Sequence, residues 1–149
     1  MTPLICRVAR ALAGATQIDL AKRAEIGRKA LIAYEGDTAD LPLGSAPRLV
    51  RAFASFDVAI AEDPAGVTIT CAGADVRRAR AAARTAIGGS QRAASIVAGL
   101  TRRTVAVWDA KGPEKVSRAS RLLIERALED GGVTMLLDAA PVGVRLRRA

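Results

Sequence analysis

The sequence predicts a mainly helical chain built from two tandem copies of one unit, each a run of short helices followed by a β-hairpin. Three observations lead there. Half of the 149 residues are hydrophobic but only Tyr34, Phe53, Phe56 and Trp108 are aromatic, so alanine dominates the apolar set. Alanine is the best helix former, and thin helices pack closely. Apolar residues recur at helical spacing over most of the chain and alternate only in short stretches. Finally, a shift of 74 positions lays one half on the other.

The repeat is in register from the first helix onward. Val8–Gln17 falls on Ala82–Gln91, with Ala9, Arg10, Gly14 and Gln17 meeting Ala83, Arg84, Gly88 and Gln91. Thr16 meets Ser90, Ala24 meets Ala98, Ile26 meets Leu100, and Arg28-Lys29 meets Arg102-Arg103. Leu31, Tyr34 and Glu35 meet Val105, Trp108 and Asp109. One residue of extra offset then aligns Ala52-Phe53 with Ala127-Leu128, and Gly66-Val67 answers Gly143-Val144 near the ends. The boundary falls near Gly73, giving units of 1–73 and 74–149.

Within the first unit, Leu4, Val8, Ala11 and Leu12 predict a helix over about 3–13, stopped by Gly14. Thr16 with Asp19 three residues on reads as a capping box, opening a short helix with Leu20, Ala21 and Ala24 inward. Glu25-Ile26-Gly27 is a turn, and a third helix runs from Arg28 to Tyr34 or Glu35, ended by Gly36-Asp37. Ser45 is expected to cap a fourth helix, with Pro47 in its first turn and Leu49, Val50, Phe53 and Phe56 along its apolar side. Val58, Ile60, Val67, Ile69 and Cys71 then alternate around Asp63-Pro64-Ala65-Gly66, a hairpin signal. The second unit gives helices near 75–87, 91–97, 102–109 and 115–130, then strands near 133–137 and 142–147.

Two short helices joined by a tight turn, the second opening on basic residues, form the helix-turn-helix plan. Ala21 must be small where the helices cross, Ile26 plugs the turn, and Leu31 anchors the second helix, leaving its far face free. The stretch Ala9–Ala21 and its continuation Ile26–Gly36 resemble the XRE family, the Cro and lambda-repressor-like regulators. The carrying residues are Arg10, Gly14-Ala15-Thr16-Gln17, Leu20-Ala21, the basic pair after Gly27, and Glu35-Gly36. The second unit keeps Ser90-Gln91, Leu100, Thr101, Arg102, Arg103, Val105 and Trp108 but has Ala94-Ser95 for Leu-Ala, Gly99 for Glu25, and Asp109 for Glu35.

That resemblance implies two tandem lambda-repressor-like helix-turn-helix units and a DNA-binding transcriptional regulator, repression being the commoner outcome. It implies base contacts from Arg28, Lys29, Ala30 and Ala33, and from Arg102, Arg103, Thr104 and Val107. Phosphate contacts are expected from Thr16, Gln17, Ser90, Gln91 and Lys111. Glu35 and Asp109 are expected to make local polar contacts. The net charge of +8 and pI of about 10.7 fit a polyanionic partner. The excess is unequal, since residues 1–74 hold eight basic and eight acidic residues, and 75–149 hold fifteen and seven.

The chain has no histidine and only two cysteines, Cys6 and Cys71, without a CxxC, which argues against a zinc site. Gly88-Gly89-Ser90 is too short for a phosphate loop, so neither an enzyme nor a cofactor is expected. Arg7 and Arg10 interrupt the mildly apolar start, and no run is long enough to span a bilayer. The expected place is the cytoplasm, at the nucleoid. Double-stranded DNA is the expected partner, bound by an internal pseudo-dimer joined through the terminal hairpins or by a homodimer. The alternative is a protein-binding regulator, antitoxin- or antiactivator-like, in which one helix-turn-helix serves as a partner surface.

Overall fold

Thr2 opens the first helix. Its Oγ1 accepts the Ile5 N–H at 3.3 Å, and Pro3 takes the first helical position, where a missing N–H costs nothing. In the computed structural model, which describes residues 1–148, α1 (Pro3–Ala13) ends where Gly14 turns left-handed at φ 67°. There follow α2 (Gln17–Arg23), α3 (Arg28–Glu35) and α4 (Ser45–Ala54), then β1 (Val58–Asp63) and β2 (Gly66–Cys71). The same order returns as α5 (Val76–Gly88), α6 (Gln91–Val97), α7 (Arg102–Lys111), a 3-10 turn at Pro113–Lys115, α8 (Arg118–Asp130), β3 (Val133–Leu136) and β4 (Gly143–Arg147). The architecture is mainly helical with one small antiparallel sheet.

Local details differ from the sequence expectation. Ser45 is not the cap of α4. Gly44, left-handed at φ 76°, precedes that helix, and the buried Ser45 hydroxyl instead accepts from Arg48 Nη2 at 3.3 Å. Val50 faces solvent rather than the core. Gly36 stays right-handed, and Asp37 supplies the left-handed residue after α3. α7 runs on to Lys111, and α8 starts only at Arg118, because Ser117 caps it through the Ser120 N–H at 3.1 Å. β3 stops at Leu136.

A single hydrophobic core runs through both halves of the chain. Its centre is the packing of α1 on α5. Ala9, Ala79, Ala82 and Ala83 are all fully buried there, and side chains this small let two helix backbones approach closely. Gly14 lies against the Arg78 guanidinium, which places the C-terminal end of α1 beside the first turn of α5. α3 packs on α1, with α2 against α3 and α4, while α6 and α7 pack on α5.

The two hairpins form one sheet of order β1-β2-β4-β3. β2 and β4 run antiparallel, pairing Val67 with Leu146, Thr68 with Arg145, and Ile69 with Val144. When Gly66-Val67 is aligned with Gly143-Val144, 77 positions on, this register is symmetric about the Thr68–Arg145 pair. The repeated glycines have a steric cause. A Cβ on Gly66 would lie 2.1 Å from the Leu146 carbonyl oxygen, and one on Gly143 would lie 2.3 Å from that of Ile69. Each Gly-Val pair therefore marks the place where a strand of one half pairs closely with a strand of the other.

Candidate nucleic-acid interface

The turn between α2 and α3 is set by buried apolar residues. Leu20, Ala21, Ala24 and Ile26 lie in the core, and the Ile26 N–H reaches back to the Ala21 carbonyl at 2.9 Å. Glu25 is left-handed there (φ 53°), as is Gly99 in the second half (φ 64°). The second half thus departs from the first toward the residue without a Cβ, which this conformation favours.

This turn presents α3 with Leu31, Tyr34 and Glu35 inward and Arg28, Lys29 and Ile32 outward. α7 matches it, with Val105, Trp108 and Asp109 inward and Arg102 and Arg103 outward. Among the described residues, none of Arg28, Lys29, Arg102 and Arg103 is held in an ion pair. Of the other candidate base contacts, Ala30, Ala33, Thr104 and Val107 are half-buried at the edges of these faces. Thr104 also meets the capping hydroxyl of Thr101 at 2.9 Å. Arg103, Thr104 and Val107 line one open groove with Lys115, Ser117 and Ser120.

Behind each outward face sits the same polar clamp. Arg10 grips the buried Glu35 with two parallel bonds, Nε to Oε1 at 2.7 Å and Nη2 to Oε2 at 2.8 Å, and Gln17 donates to Oε2 at 2.8 Å. Arg10 also ties the Ala15 carbonyl at 3.2 Å. In the second half Arg84 Nε reaches Asp109 Oδ2 at 2.6 Å, Gln91 donates to the same oxygen at 3.2 Å, and Arg84 holds the Gly89 carbonyl at 3.1 Å. One clamp therefore joins the end of the first helix, the start of the second and the end of the third. Arginine also serves a carbonyl in the last turn of each third helix: Arg7 bonds that of Glu35, the final residue of α3, and Arg80 that of Asp109, two residues before the end of α7. Arg80 does this from the position that matches Cys6. The buried Cys6 thiol donates to Glu35 Oε1 at 3.7 Å, and burial, reinforced by Glu35, pushes its pKa up to about 12. It stays protonated and unreactive.

The two clamps are not equivalent. Asp109 is one methylene shorter than Glu35, so one oxygen takes both donors and Oδ1 is left buried without a partner. Asp109→Glu is expected to restore the two-pronged grip and stabilise the chain by about 1 kcal/mol. That corresponds to a rise of roughly 2–4 °C in thermal midpoint for a chain of this size. A fall would show that the second half has closed over the shorter side chain.

The clamp explains where Gln17 and Gln91 stand. Both were candidate phosphate contacts, and each spends one amide N–H on a buried carboxylate while the other remains available. Thr16 Oγ1 accepts the Asp19 N–H at 3.1 Å and Asp19 Oδ2 accepts the Thr16 N–H at 3.1 Å, completing a capping box; the Thr16 hydroxyl also donates to Oδ2 at 2.6 Å, and these bonds hold the Asp19 carboxyl below its usual range. Ser90 caps α6 through the Ala93 N–H at 3.1 Å without the reciprocal acid. Lys111 is exposed at the far end of α7, away from the basic pair. Sequence reasoning missed Lys115, whose signal was a basic residue just ahead of the Ser117 cap. It also missed Ile32, exposed between the basic pair and the end of α3.

No helix is long and apolar enough to cross a membrane. Among the described residues, no group of His, Cys, Asp and Glu side chains is arranged to hold a metal ion. No protein-family model, curated protein or solved structure matches the chain.

Proposed function

We propose that the chain is a sequence-specific DNA-binding transcriptional regulator of the XRE type, with two helix-turn-helix units carried on one chain. In this reading α3 and α7 are recognition helices that enter the major groove. The observation that carries it is the duplicated arrangement itself. Two helices related by the repeat each expose an unpaired basic pair on the first turn, and each is braced from behind by the same Arg–Gln–carboxylate clamp. Arginine pairs with guanine edges in the major groove, and apolar tips meet thymine methyls. Arg28, Lys29 and Ile32 would read one half-site. Arg102 and Arg103 would read the other, where Ala106 replaces Ile32. The second free N–H of Gln17 and Gln91, held in place by the clamp, would meet phosphate oxygens. The excess positive charge of the second half supplies long-range, salt-dependent attraction.

The test is a gel shift on duplexes selected for binding. Arg28→Ala/Lys29→Ala and Arg102→Ala/Arg103→Ala are each expected to weaken specific binding by about tenfold or more while leaving the fold intact, since one good base pairing contributes about 1–3 kcal/mol. If neither double variant weakens it, the assigned contacts are wrong.

A second reading rests on a different observation. Ile96 and Val97 on α6 are 74% and 56% exposed, and Leu122 and Leu123 on α8 are 52% and 43% exposed. At the places of Ile96 and Val97 the first half has Lys22 and Arg23. The first half also exposes Ile18, Leu43 and Val50, so it is the exchange of a basic pair for an apolar pair on α6 that favours a partner-binding surface there. Wild-type protein that binds no duplex even at low salt would select this reading.

A further inference from the structure

The sheet that joins the two halves is built on unlike residues at its centre. Thr68 and Arg145 hold the same place in the two hairpins and stand directly opposite each other. Arg145 sends Nη1 to Thr68 Oγ1 at 2.8 Å, and Nη2 to both carboxylate oxygens of Asp63 at 2.8 and 2.7 Å. Together with two backbone N–H groups, the guanidinium holds the Asp63 carboxyl below its usual range. In the second hairpin the ladder place of Asp63, opposite Gly66, is taken by Leu136, opposite Gly143, and the nearest carboxylate, Asp138, lies out in the turn. At these ladder places the acid and the hydroxyl therefore belong to the first hairpin and the cation to the second.

The flanking pairs do not discriminate. Val67 with Leu146 and Ile69 with Val144 are apolar on both sides, and such side chains exchange with little penalty. The centre does discriminate. Two β4 strands in this register would set one Arg145 against another with Leu136, not a carboxylate, at the ladder place of Asp63, and like charges directly opposed across strands repel. Two β2 strands would set Thr68 against Thr68 and leave each Asp63 without its cation.

We propose that Arg145, Asp63 and Thr68 form a heterotypic lock, which makes the hairpin of the other half, and not a copy of itself, the partner each hairpin accepts. Only four residues, 72–75, link β2 to α5, so the partner on the same chain is favoured by its high effective concentration. The chain then assembles alone, and any ligand that needs both halves is bound in direct proportion to chain concentration, with no dimerisation step. This holds whether or not that ligand is DNA.

The full chain can host the test. Thr68→Arg sets two arginines face to face within one molecule, with Asp63 left beside them, and Arg145→Thr gives the Thr–Thr face of two β2 strands. Thr68→Val is the control, similar in size and without the charge. Amide exchange across β2 and β4 is expected to accelerate about tenfold or more in Thr68→Arg, and several-fold in Arg145→Thr, relative to the control. Light scattering on the wild type should give the mass of one chain. If both mimics protect these amides as well as Thr68→Val does, or if the wild type is a dimer, the lock is overturned. Should Thr68→Arg fail to fold, Arg145→Thr against the same control decides alone.

Discussion

Replacing Glu35 with alanine is expected to lower the unfolding free energy by about 3–5 kcal/mol, the range found when one partner of a buried ion pair is removed. The reason lies in what is left behind. Arg10 would lose both of its short bonds to the carboxylate, Gln17 its acceptor, and the Cys6 thiol its partner, all in a place where Glu35 is only 3% exposed. The guanidinium would be left partly buried with only the Ala15 carbonyl. Because the clamp joins the ends of three helices, the loss should fall on the placement of α3 as well as on global stability. Exchange of the α3 amides measures the first, and urea denaturation the second. A change below about 1 kcal/mol, ordinary for an exposed ion pair, would mean that the clamp is a surface contact.

The second large effect is expected at Gly143. Alanine there would place a Cβ 2.3 Å from the Ile69 carbonyl oxygen and 2.9 Å from Thr70 Cγ2. Backbone on the opposed strand cannot swing aside as a long side chain can, so β4 must move away from β2. A loss of about 3 kcal/mol is expected, at the upper end for overpacking. It should be accompanied by loss of amide protection along the shared sheet. Gly73→Ala is the control. A Cβ on Gly73 meets nothing within 4 Å, and a surface change of that kind shifts stability by less than about 0.5 kcal/mol. Equal effects at the two glycines would show that the strands do not depend on close approach.

Much of this arrangement is legible in the sequence, and the reasons are physical. The helices of the first half announce themselves because Thr16, Gly14 and the spacing of Leu4, Val8 and Leu12 are local signals that tertiary contacts do not override. The hairpins are legible because alternation around Asp63–Gly66 has no helical alternative. Ser45 misleads because a serine ahead of a proline-bearing helix looks like a cap, whereas the chain enters α4 through the left-handed Gly44. Val50 misleads because the apolar stripe of α4 is narrower than its apolar composition. The clamp could be read only in outline. Arg10 and Arg84, Gln17 and Gln91, and Glu35 and Asp109 recur in register, but their meeting depends on how three helix ends converge. The unequal grips of Glu35 and Asp109 depend on a single methylene and are visible only in coordinates. The Thr68–Arg145 pair lies beyond sequence reasoning, since it requires the register of two strands 77 residues apart.

Under the proposed function, one chain presents two unlike DNA-reading helices in a fixed relation. Selection of bound duplexes from a random pool, with the protein-to-DNA ratio of the complex measured, tests it most directly. One chain per site is expected, with two half-sites about one helical turn apart, roughly 34 Å. The halves are also expected to differ in sequence, with Arg28→Ala/Lys29→Ala relaxing one half and Arg102→Ala/Arg103→Ala the other. No enrichment of any sequence, or perfect palindromes bound by two chains, would contradict this reading.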